Sequence, residues 1–300
     1  MTPQTVAPGV AYLTIGFVNV FFAGERGAPW TLVDTGLPGT AGFLQSMAER
    51  WHGTKARPGA IVLTHGHFDH AGSVNLLAEQ WDIPVYAHPL ELPFLTGKSD
   101  YPPLDPTVGG AIGFASRFLP SHGYNLGDRV HPLPADGTVP GMPGWRWVHT
   151  PGHSPGHIAL FREEDRVLIA GDAIATINME SFVDQITERR KIVGPPPPIT
   201  PDWQSARTSV HRLAELEPSL VAAGHGIPMT DADFGARLTL LWERLTPPPG
   251  GRYAQIPARS TPEGIVSVPP PVPDPLPKRL AAAGAIAIAI ALIVRMRRRA

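Results

Sequence analysis

The sequence predicts a mixed α+β fold in which short strands alternate with amphipathic helices. Apolar runs such as Val10 to Ile15 are separated by glycine and proline, a pattern typical of strands joined by tight turns. Gly39 to Trp51 and Gly72 to Trp81 instead carry apolar side chains at helical spacing. Because 43% of the 300 residues are hydrophobic, the chain can bury a sizeable core.

Short strands are expected before the first helix, and a break in the pattern after the second. The strands are Val10 to Ile15, Val18 to Phe22 and Trp30 to Val33. The regular pattern is lost after Pro89 and returns with the strand candidate Trp145 to Val148. Residues 90–145 are therefore expected to form either an insertion that covers a site as a lid or an ordinary surface excursion.

The second half is expected to contain a hairpin, a single strand and two helices. The strands are Ile158 to Phe161, Val167 to Ala170 and Leu220 to Ala223. Thr200 is the predicted cap of one helix, with Pro201 at its first position. Thr230 is the predicted cap of the last helix, which stops at Pro247. These elements predict one domain over residues 1–246.

The C-terminal residues have a different composition. Residues 247–277 contain eleven prolines in 31 positions, which predicts an extended, polyproline-like linker. In residues 278–300, an apolar segment from Leu280 to Val294 lies between basic residues. As a helix it would be about 22 Å long, short of the roughly 30 Å of a bilayer core. We expect a short transmembrane helix or a helix in the membrane interface, with a basic tail.

Charge and cysteine content exclude several classes of function. The net charge is −1, and no basic region is suited to a nucleic-acid backbone, so nucleic acid is not an expected partner. The absence of cysteine excludes thiolate ligands, thiol nucleophiles and disulfides. The first eight residues lack the features of an export signal, and we therefore expect a cytoplasmic catalytic domain anchored to the membrane by the C-terminus.

The segment from Thr64 to His70 has the composition of a metal site. It places His65, His67, Asp69 and His70 directly after an apolar run. These side chains cannot all face one way on a regular strand or helix, so we expect a loop that presents ligands to more than one ion. Imidazole nitrogen and carboxylate oxygen are ligands that zinc and its first-row neighbours accept.

Three further segments repeat this arrangement of a polar side chain and glycine after a strand. They are His149 to His157, with the sequence HTPGHSPGH, then Gly171-Asp172, then Gly224-His225-Gly226. Glycine at these positions lets the backbone approach closely, and ligand-bearing loops commonly follow strands. Taken alone, each segment is also compatible with an ordinary turn or helix cap. Together they favour a metal-binding site.

The order HGHFDH, HTPGHSPGH, GD and GHG resembles the metallo-β-lactamase superfamily, and within it the branch similar to glyoxalase II. The resemblance covers about residues 8 to 246. It implies a four-layer αββα sandwich with a two-metal site at the edge of its sheets. The ligands that it implies are His65, His67 and His153 for the first metal, Asp69, His70 and His225 for the second, and Asp172 between both. It also implies supporting roles for Asp34 and Thr64, and His157 is expected to support or pack rather than to bind.

This resemblance implies a metal-dependent hydrolase acting on a small molecule. Two divalent ions are expected, with zinc first and iron or manganese as alternatives. A hydroxide that bridges the metals would attack an ester, thioester or lactone carbonyl, and Asp69 would orient it or relay a proton. His149 is left without an assigned role, and the histidines outside the motifs are expected to be ordinary core or surface residues, namely His52, His88, His122, His131 and His211.

Departures from known relatives narrow this expectation. The cysteine ligand of some β-lactamases is absent, and the proline-rich segment stands where glyoxalase II enzymes have a helical domain for glutathione. The residues after Asp172, Ala173 to Asn178, lack the tyrosine of quorum-signal lactonases of this fold. Two alternatives remain open at this point, namely an oxidoreductase similar to the mononuclear iron persulfide dioxygenases, and a non-catalytic membrane-tethered binding module.

Overall fold

A computed structural model of the protein describes residues 2–278. The chain divides into two compact units, Met1–Pro269 and Pro270–Ala300. The apolar segment 280–294 lies outside the described residues, and its membrane association stays a prediction. Among residues 2–278, no helix combines the length and apolar character that crossing a bilayer requires.

The first sheet comes entirely from the N-terminal half. Its strands, in spatial order, are β1 (Gln4–Ala7), β2 (Val10–Ile15), β3 (Val18–Ala23), β4 (Thr31–Val33), β5 (Ala60–Val62), β6 (Val85–Ala87) and β7 (Val130–Pro132). Strands β1 to β4 pair antiparallel, and β4 to β7 pair parallel. Parallel neighbours need a crossover connection, which α1 (Ala41–His52) and α2 (Val74–Trp81) provide.

The second sheet comes from the C-terminal half. The strands that follow β7 are β8 (Trp145–His149), β9 (Ile158–Arg162), β10 (Val167–Gly171), β11 (Ala175–Ile177), β12 (Arg190–Val193), β13 (Leu220–Ala223) and β14 (Met229–Thr230). The sheet has the order β14-β13-β10-β9-β8, whereas β11 and β12 form a separate ribbon. The later helices are α3 (Leu92–Leu95), α4 (Gly110–Ala115), α5 (Phe182–Thr187), α6 (Trp203–Glu215) and α7 (Phe234–Arg244).

Apolar clusters join these elements into layers. Phe22 packs with Leu44 of α1 on one face of the first sheet. Phe21 points to the opposite face, because successive side chains of a strand alternate, and it packs with Leu160 of the second sheet. A third cluster joins the other face of the second sheet to Phe234 of α7. These contacts confirm the predicted αββα sandwich.

Both predicted helix caps of the second half are wrong by two or three residues. Thr200 donates its hydroxyl to Pro196 O, and Asp202 caps α6 by accepting from Ser205 N at 3.0 Å. Thr230 belongs to β14, where it pairs with Leu220. Helix α7 consequently begins only after Asp233. Thr200 thus hydrogen-bonds to Pro196 instead of capping a helix, and Thr230 is part of a strand.

The proline-rich segment 247–277 is not extended throughout, which differs from the predicted linker. Strands β15 (Arg259–Thr261) and β16 (Gly264–Ser267) form a hairpin within it. Tyr253 is only 4% exposed. The hairpin strands themselves contain no proline, so both can donate the backbone hydrogen bonds of a ladder. The part of this segment up to Pro269 belongs to the same compact unit as the sandwich.

Residues 90–145 are partly integral to the fold. Strand β7 lies within this range and completes the edge of the first sheet. Other parts of the range, Tyr101 to Leu104 and Pro120-Ser121, line the pocket described below. Movement of these residues as a lid stays a prediction.

Glu180 is expected to make stability depend on pH. Burial raises its pKa from 4.5 to about 7, and the backbone amides of Gly113 and Ile112 offset only part of that rise. The folded protein therefore retains a proton that the unfolded chain releases near pH 4.5, and the free energy of unfolding falls as pH rises from about 4.5 to about 7.

The substitution Glu180→Gln removes the ionisable group, and with it the fall in the free energy of unfolding between about pH 4.5 and pH 7. At pH 8 the variant is expected to be more stable than the parent by about 1 to 2 kcal/mol, a value reduced because Glu180 as a whole is only partly buried. Urea unfolding at pH 5 and pH 8 measures the effect. A variant that is no more stable than the parent at pH 8 would show that the ionised carboxylate is tolerated.

Candidate metal centre

The predicted ligands lie in loops that follow strands of both sheets. His65 comes three residues after Val62, the last residue of β5, Asp172 directly follows β10, and His225 follows β13. Strands β10 and β13 are parallel neighbours, so their carboxyl ends meet at one edge. His153 lies in the loop between β8 and β9. The fold therefore brings four separate segments of sequence to one place.

Within the described residues, three overlapping groups of side chains could hold a metal ion, with their ligand atoms within 4.8 Å of one another. They are His65, His67 and His153, then His65, His70 and Asp172, then Asp69, His70 and His225. The first and third groups are the two sets that the sequence assigns to separate ions. We call His65, His67 and His153 the first set, and Asp69, His70 and His225 the second set. The structure thus brings all seven predicted ligands together, and their binding of metal stays a prediction.

Asp172 lies between the two sets. Its Oδ2 is 3.5 Å from His153 Nε2 in the first set and 3.1 Å from His225 Nε2 in the second set. Its Oδ1 is 3.4 Å from His70 Nε2. Inside the first set, His67 Nδ1 and His153 Nε2 are 2.9 Å apart. A carboxylate in this position can bridge two ions.

Burial keeps the first set of histidines neutral. It lowers the pKa of His65 and of His153 well below 6.5, and it lowers the pKa of His67 to about 3. Neutral imidazole is the form that binds a metal ion, so protons do not compete for these nitrogens near neutral pH. This set is prepared for a cation without a prior deprotonation.

The second set carries a surplus of buried negative charge. Burial acts against the charged form of His70, but Asp172, Asp34 and Asp69 outweigh it and raise its pKa well above 6.5. The pKa of His225 is also raised, because Asp172 and Asp69 outweigh its burial. Buried carboxylates at this density need compensating cations, and a divalent ion supplies such charge.

Unpartnered buried atoms indicate that the residues fit metal ions. Among the described residues, His65 Nε2, His70 Nε2 and Asp172 Oδ1 have no hydrogen-bond partner. Such atoms are costly inside a protein unless a ligand satisfies them. Nitrogen and carboxylate oxygen together match the ligand preferences of zinc, iron and manganese. The donor set therefore fits divalent ions of this class.

Comparison with known proteins identifies the family. The model of the metallo-beta-lactamase superfamily matches residues 13–225. The chain belongs to the metallo-beta-lactamase superfamily. It is 43% identical over 243 residues to the probable metallo-hydrolase YflN of Bacillus subtilis (strain 168), a match that covers 80% of this chain and 92% of YflN.

Two further relatives within this superfamily have more specific names. A match to the hydroxyacylglutathione hydrolase GloC of Haemophilus influenzae is 28% identical over 116 residues and covers 38% of this chain and 49% of GloC. The crystal structure of BLEG-1, a B3 metallo-beta-lactamase, superposes with a TM-score of 0.52 at 27% identity. That superposition covers 75% of this chain and 94% of BLEG-1.

Asp34 and Thr64 orient the histidines of this superfamily site. Asp34 accepts hydrogen bonds from Thr64 N at 2.8 Å, from Thr64 Oγ1 at 2.7 Å and from His70 Nδ1 at 2.8 Å. Thr64 Oγ1 is also 3.1 Å from His65 Nδ1. His225 Nδ1 lies 2.8 Å from Phe17 O. Because these Nδ1 atoms are engaged, the Nε2 atoms of His65 and His70 are left for a metal, and Nε2 of His225 faces Asp172 Oδ2 at 3.1 Å.

His157 contacts Asp172 and Thr150, and it is absent from the three groups that could hold a metal among the described residues. Its Nε2 accepts a hydrogen bond from Asp172 N at 2.8 Å, and its Nδ1 lies 2.8 Å from Thr150 Oγ1. Both ring nitrogens are therefore occupied. Close packing here also explains the nearby glycine, since a Cβ on Gly224 would collide with Asp172 Oδ1 and His70 Cε1. The supporting role of His157 stays a prediction.

Sequence reasoning missed Glu91, a fully buried carboxylate. Its Oε2 accepts from Gly66 N at 3.1 Å and from the Tyr101 hydroxyl. Its Oε1 accepts from Ser154 Oγ at 2.6 Å and from Gly156 N at 2.8 Å. Glu91 therefore ties the loop of His65 and His67 to the loop of His153. No motif surrounds Glu91 in the sequence that could have revealed this.

The histidines that were predicted to be ordinary, and the unassigned His149, lie outside the metal groups. His149 stacks on His88 with ring centroids 4.0 Å apart, and its Nε2 lies 2.9 Å from Pro155 O. His52 stacks on Trp30 at 4.3 Å. The groups that could hold a metal among residues 2–278 contain none of these side chains, nor His122, His131 or His211.

A pocket is lined by predicted ligands of both sets and by Asp172. It exposes His67, Asp69, His153 and Asp172 to a space whose other walls are mainly apolar. The remaining wall residues are Phe68, Tyr101, Pro102, Pro103, Leu104, Pro120, Ser121, Pro198, Ile199, Pro201 and Tyr253. The proline-rich loop before α6 thus forms part of the pocket wall, and a substrate in this pocket would lie beside the predicted metals.

Proposed function

We propose that the protein is a hydrolase that uses two divalent metal ions, zinc being the first expectation, to cleave an ester, thioester or lactone. The observation that carries this proposal is the position of Asp172, whose Oδ2 lies near both His153 and His225 and whose Oδ1 lies near His70, so that its carboxylate contacts ligands of both sets. Four of the predicted ligands, His67, Asp69, His153 and Asp172, also line the adjacent pocket. A site with bridging ligand and open access is suited to catalysis rather than to a structural role.

Residues of this chain would hold and protonate the reacting groups. Ions bound here would supply a hydroxide at neutral pH and stabilise the negative charge that develops on the carbonyl oxygen. Asp69 lines the pocket, with its Oδ2 3.4 Å from His225 Nε2. Burial raises the pKa of Asp69, against the opposing effect of His70 and His225. Its carboxyl is therefore suited to take a proton from the nucleophile and pass it to the leaving group.

The relatives support this class of reaction. YflN, which matches over most of both chains, is named a probable metallo-hydrolase. GloC is named a hydroxyacylglutathione hydrolase, although its match covers 38% of this chain. The name of YflN supports metal-dependent hydrolysis, and the name of GloC supports the thioester as one candidate bond.

A substrate screen on metal-free and reconstituted protein tests the proposal. The probes are nitrophenyl esters, acyl thioesters, lactones, a phosphodiester and, because of BLEG-1, a β-lactam. We expect hydrolysis of at least one ester, thioester or lactone after addition of zinc, manganese or iron, and its loss with a chelator. Oxygen uptake with a glutathione persulfide, or hydrolysis of only the phosphodiester or β-lactam, would overturn the proposal.

A further inference from the structure

The walls of the pocket beside the metal ligands carry no cation among the residues that the structure describes. Apart from the ligands themselves, the lining consists of apolar and aromatic side chains with one serine. Arg252 lies next to the pocket residue Tyr253, but its Nε donates to Pro269 O at 2.7 Å. A carboxylate held against these walls, away from the metal ligands, would lose its water without gaining a partner from the protein. The lining therefore discriminates against anionic groups.

Residues 250–267, which we name the C-terminal strap, fasten two of these walls. Arg252 N donates to Asp105, and Tyr253 donates its hydroxyl to Pro103 O at 2.6 Å. Both acceptors belong to the wall segment around Tyr101 to Leu104. Ile265 N also donates to Ser99 Oγ at 3.1 Å, just before that segment.

The strap also reaches the proline-rich wall. Ala258 N donates to Pro201 O at 3.0 Å. The two walls contact each other through Asp105 N, which donates to Pro198 O at 2.8 Å. Proline fixes the backbone φ angle, so walls built from it lose little freedom when they are tied together. The two walls are consequently held together by the protein itself before any ligand binds.

We infer that this pocket selects substrates with an uncharged, apolar group beside the bond that is cleaved, and that Tyr253 of the strap is a specificity-determining residue. The inference rests on the proposed function for the reaction itself. Tyr253 is 4% exposed and lines the pocket directly, while burial raises its pKa to about 12, so its hydroxyl remains a neutral donor to Pro103 O.

A second groove offers the contrasting surface. It is bordered by Phe17 and His225 and includes Glu188 and Arg190. A charged substrate would find an ionic partner there and not in the apolar pocket. A preference for an anionic group would therefore point to this groove and against the inference.

Matched acyl groups test the inference on the zinc-loaded full chain. Para-nitrophenyl butyrate and para-nitrophenyl hemisuccinate differ by a terminal carboxylate in an acyl chain of similar length. We expect kcat/KM for the butyrate to be about 100-fold higher. In Tyr253→Arg this ratio should fall at least about tenfold, because the new guanidinium supplies a partner for the carboxylate.

Two control variants separate charge at the pocket from general effects. Tyr253→Phe keeps the aromatic ring, and it should leave the ratio within about twofold of the parent. Val266→Arg adds the same charge on the same strap at a side chain that is 64% exposed, and it should also leave the ratio unchanged. A parent ratio near one, or a ratio that Tyr253→Arg does not alter, contradicts the inference.

A binding measurement keeps the inference testable if no ester is hydrolysed. Butyrohydroxamic acid and succinic acid monohydroxamate share a metal-binding head and differ in the charge of the tail. Titration calorimetry with the zinc-loaded protein should show the neutral compound binding at least about tenfold more tightly. Discrimination without turnover would contradict the proposed hydrolysis but support the pocket assignment. Equal binding, tighter binding of the anion, or binding of neither compound contradicts the pocket assignment.

Discussion

Asp172→Asn is expected to lower kcat/KM by at least about 10³-fold and to reduce the metal content below two ions per chain. Asparagine keeps the size of the side chain but removes the negative charge that faces His153, His70 and His225. One amide oxygen cannot bind two ions as a carboxylate does, so the bridge is lost while the backbone stays in place.

A control variant is needed to distinguish the loss of the bridging carboxylate from a general loss of folding. Asp128→Asn, which changes an exposed aspartate, is the matched control and should leave both metal content and activity unchanged. Far-ultraviolet circular dichroism and elemental analysis are measured on the same samples. An Asp172→Asn protein that keeps two ions and full activity would show that Asp172 does not bridge.

Glu91→Ala is expected to lower the free energy of unfolding by about 3 to 5 kcal/mol. The substitution leaves Gly66 N, Gly156 N and Ser154 Oγ without their buried acceptor, and it also removes the partner of Tyr101. Each unsatisfied donor is costly where water cannot reach it. Urea unfolding of the metal-free protein measures this effect directly, apart from any contribution of bound metal.

The same residue should matter for metal binding, because it fixes the distance between the two loops of the first set. In Glu91→Gln, which is milder and expected to fold, zinc affinity of the first set should fall about 10- to 100-fold. Glu79→Ala, at an exposed position of α2, is the control for both measurements. A Glu91→Gln protein with unchanged zinc affinity would limit Glu91 to a structural role.

The layers of the fold and the members of the candidate site could be predicted because the patterns that indicate them lie within short stretches of sequence. Alternation along strands such as β3 places Phe21 and Phe22 on opposite faces, and that pattern can be read without knowing the partner. The candidate ligands follow recognisable strands with glycine beside them. Their motifs therefore carried information about position as well as chemistry.

Glu91 and the strap could not be predicted because their partners are distant in sequence. Glu91 contacts Gly156, which is 65 positions away, and Tyr253 contacts Pro103, which is 150 positions away. A single glutamate between leucines shows no period that would reveal a buried role. Proline content indicates a stiff backbone but does not determine the surface on which it packs. The predicted cap of α6 was wrong by only two residues. Thr200 and Asp202 are both residue types that can cap a helix, and they lie within three residues of each other.

The central claim is that the site binds two ions and needs both. Metal-free protein should be titrated with zinc while bound metal and kcat/KM for the best substrate of the screen are measured on each sample. We predict that binding saturates at two ions per chain and that activity reaches its maximum only with the second. Full activity with one ion per chain, or activity that persists without metal, would contradict this account.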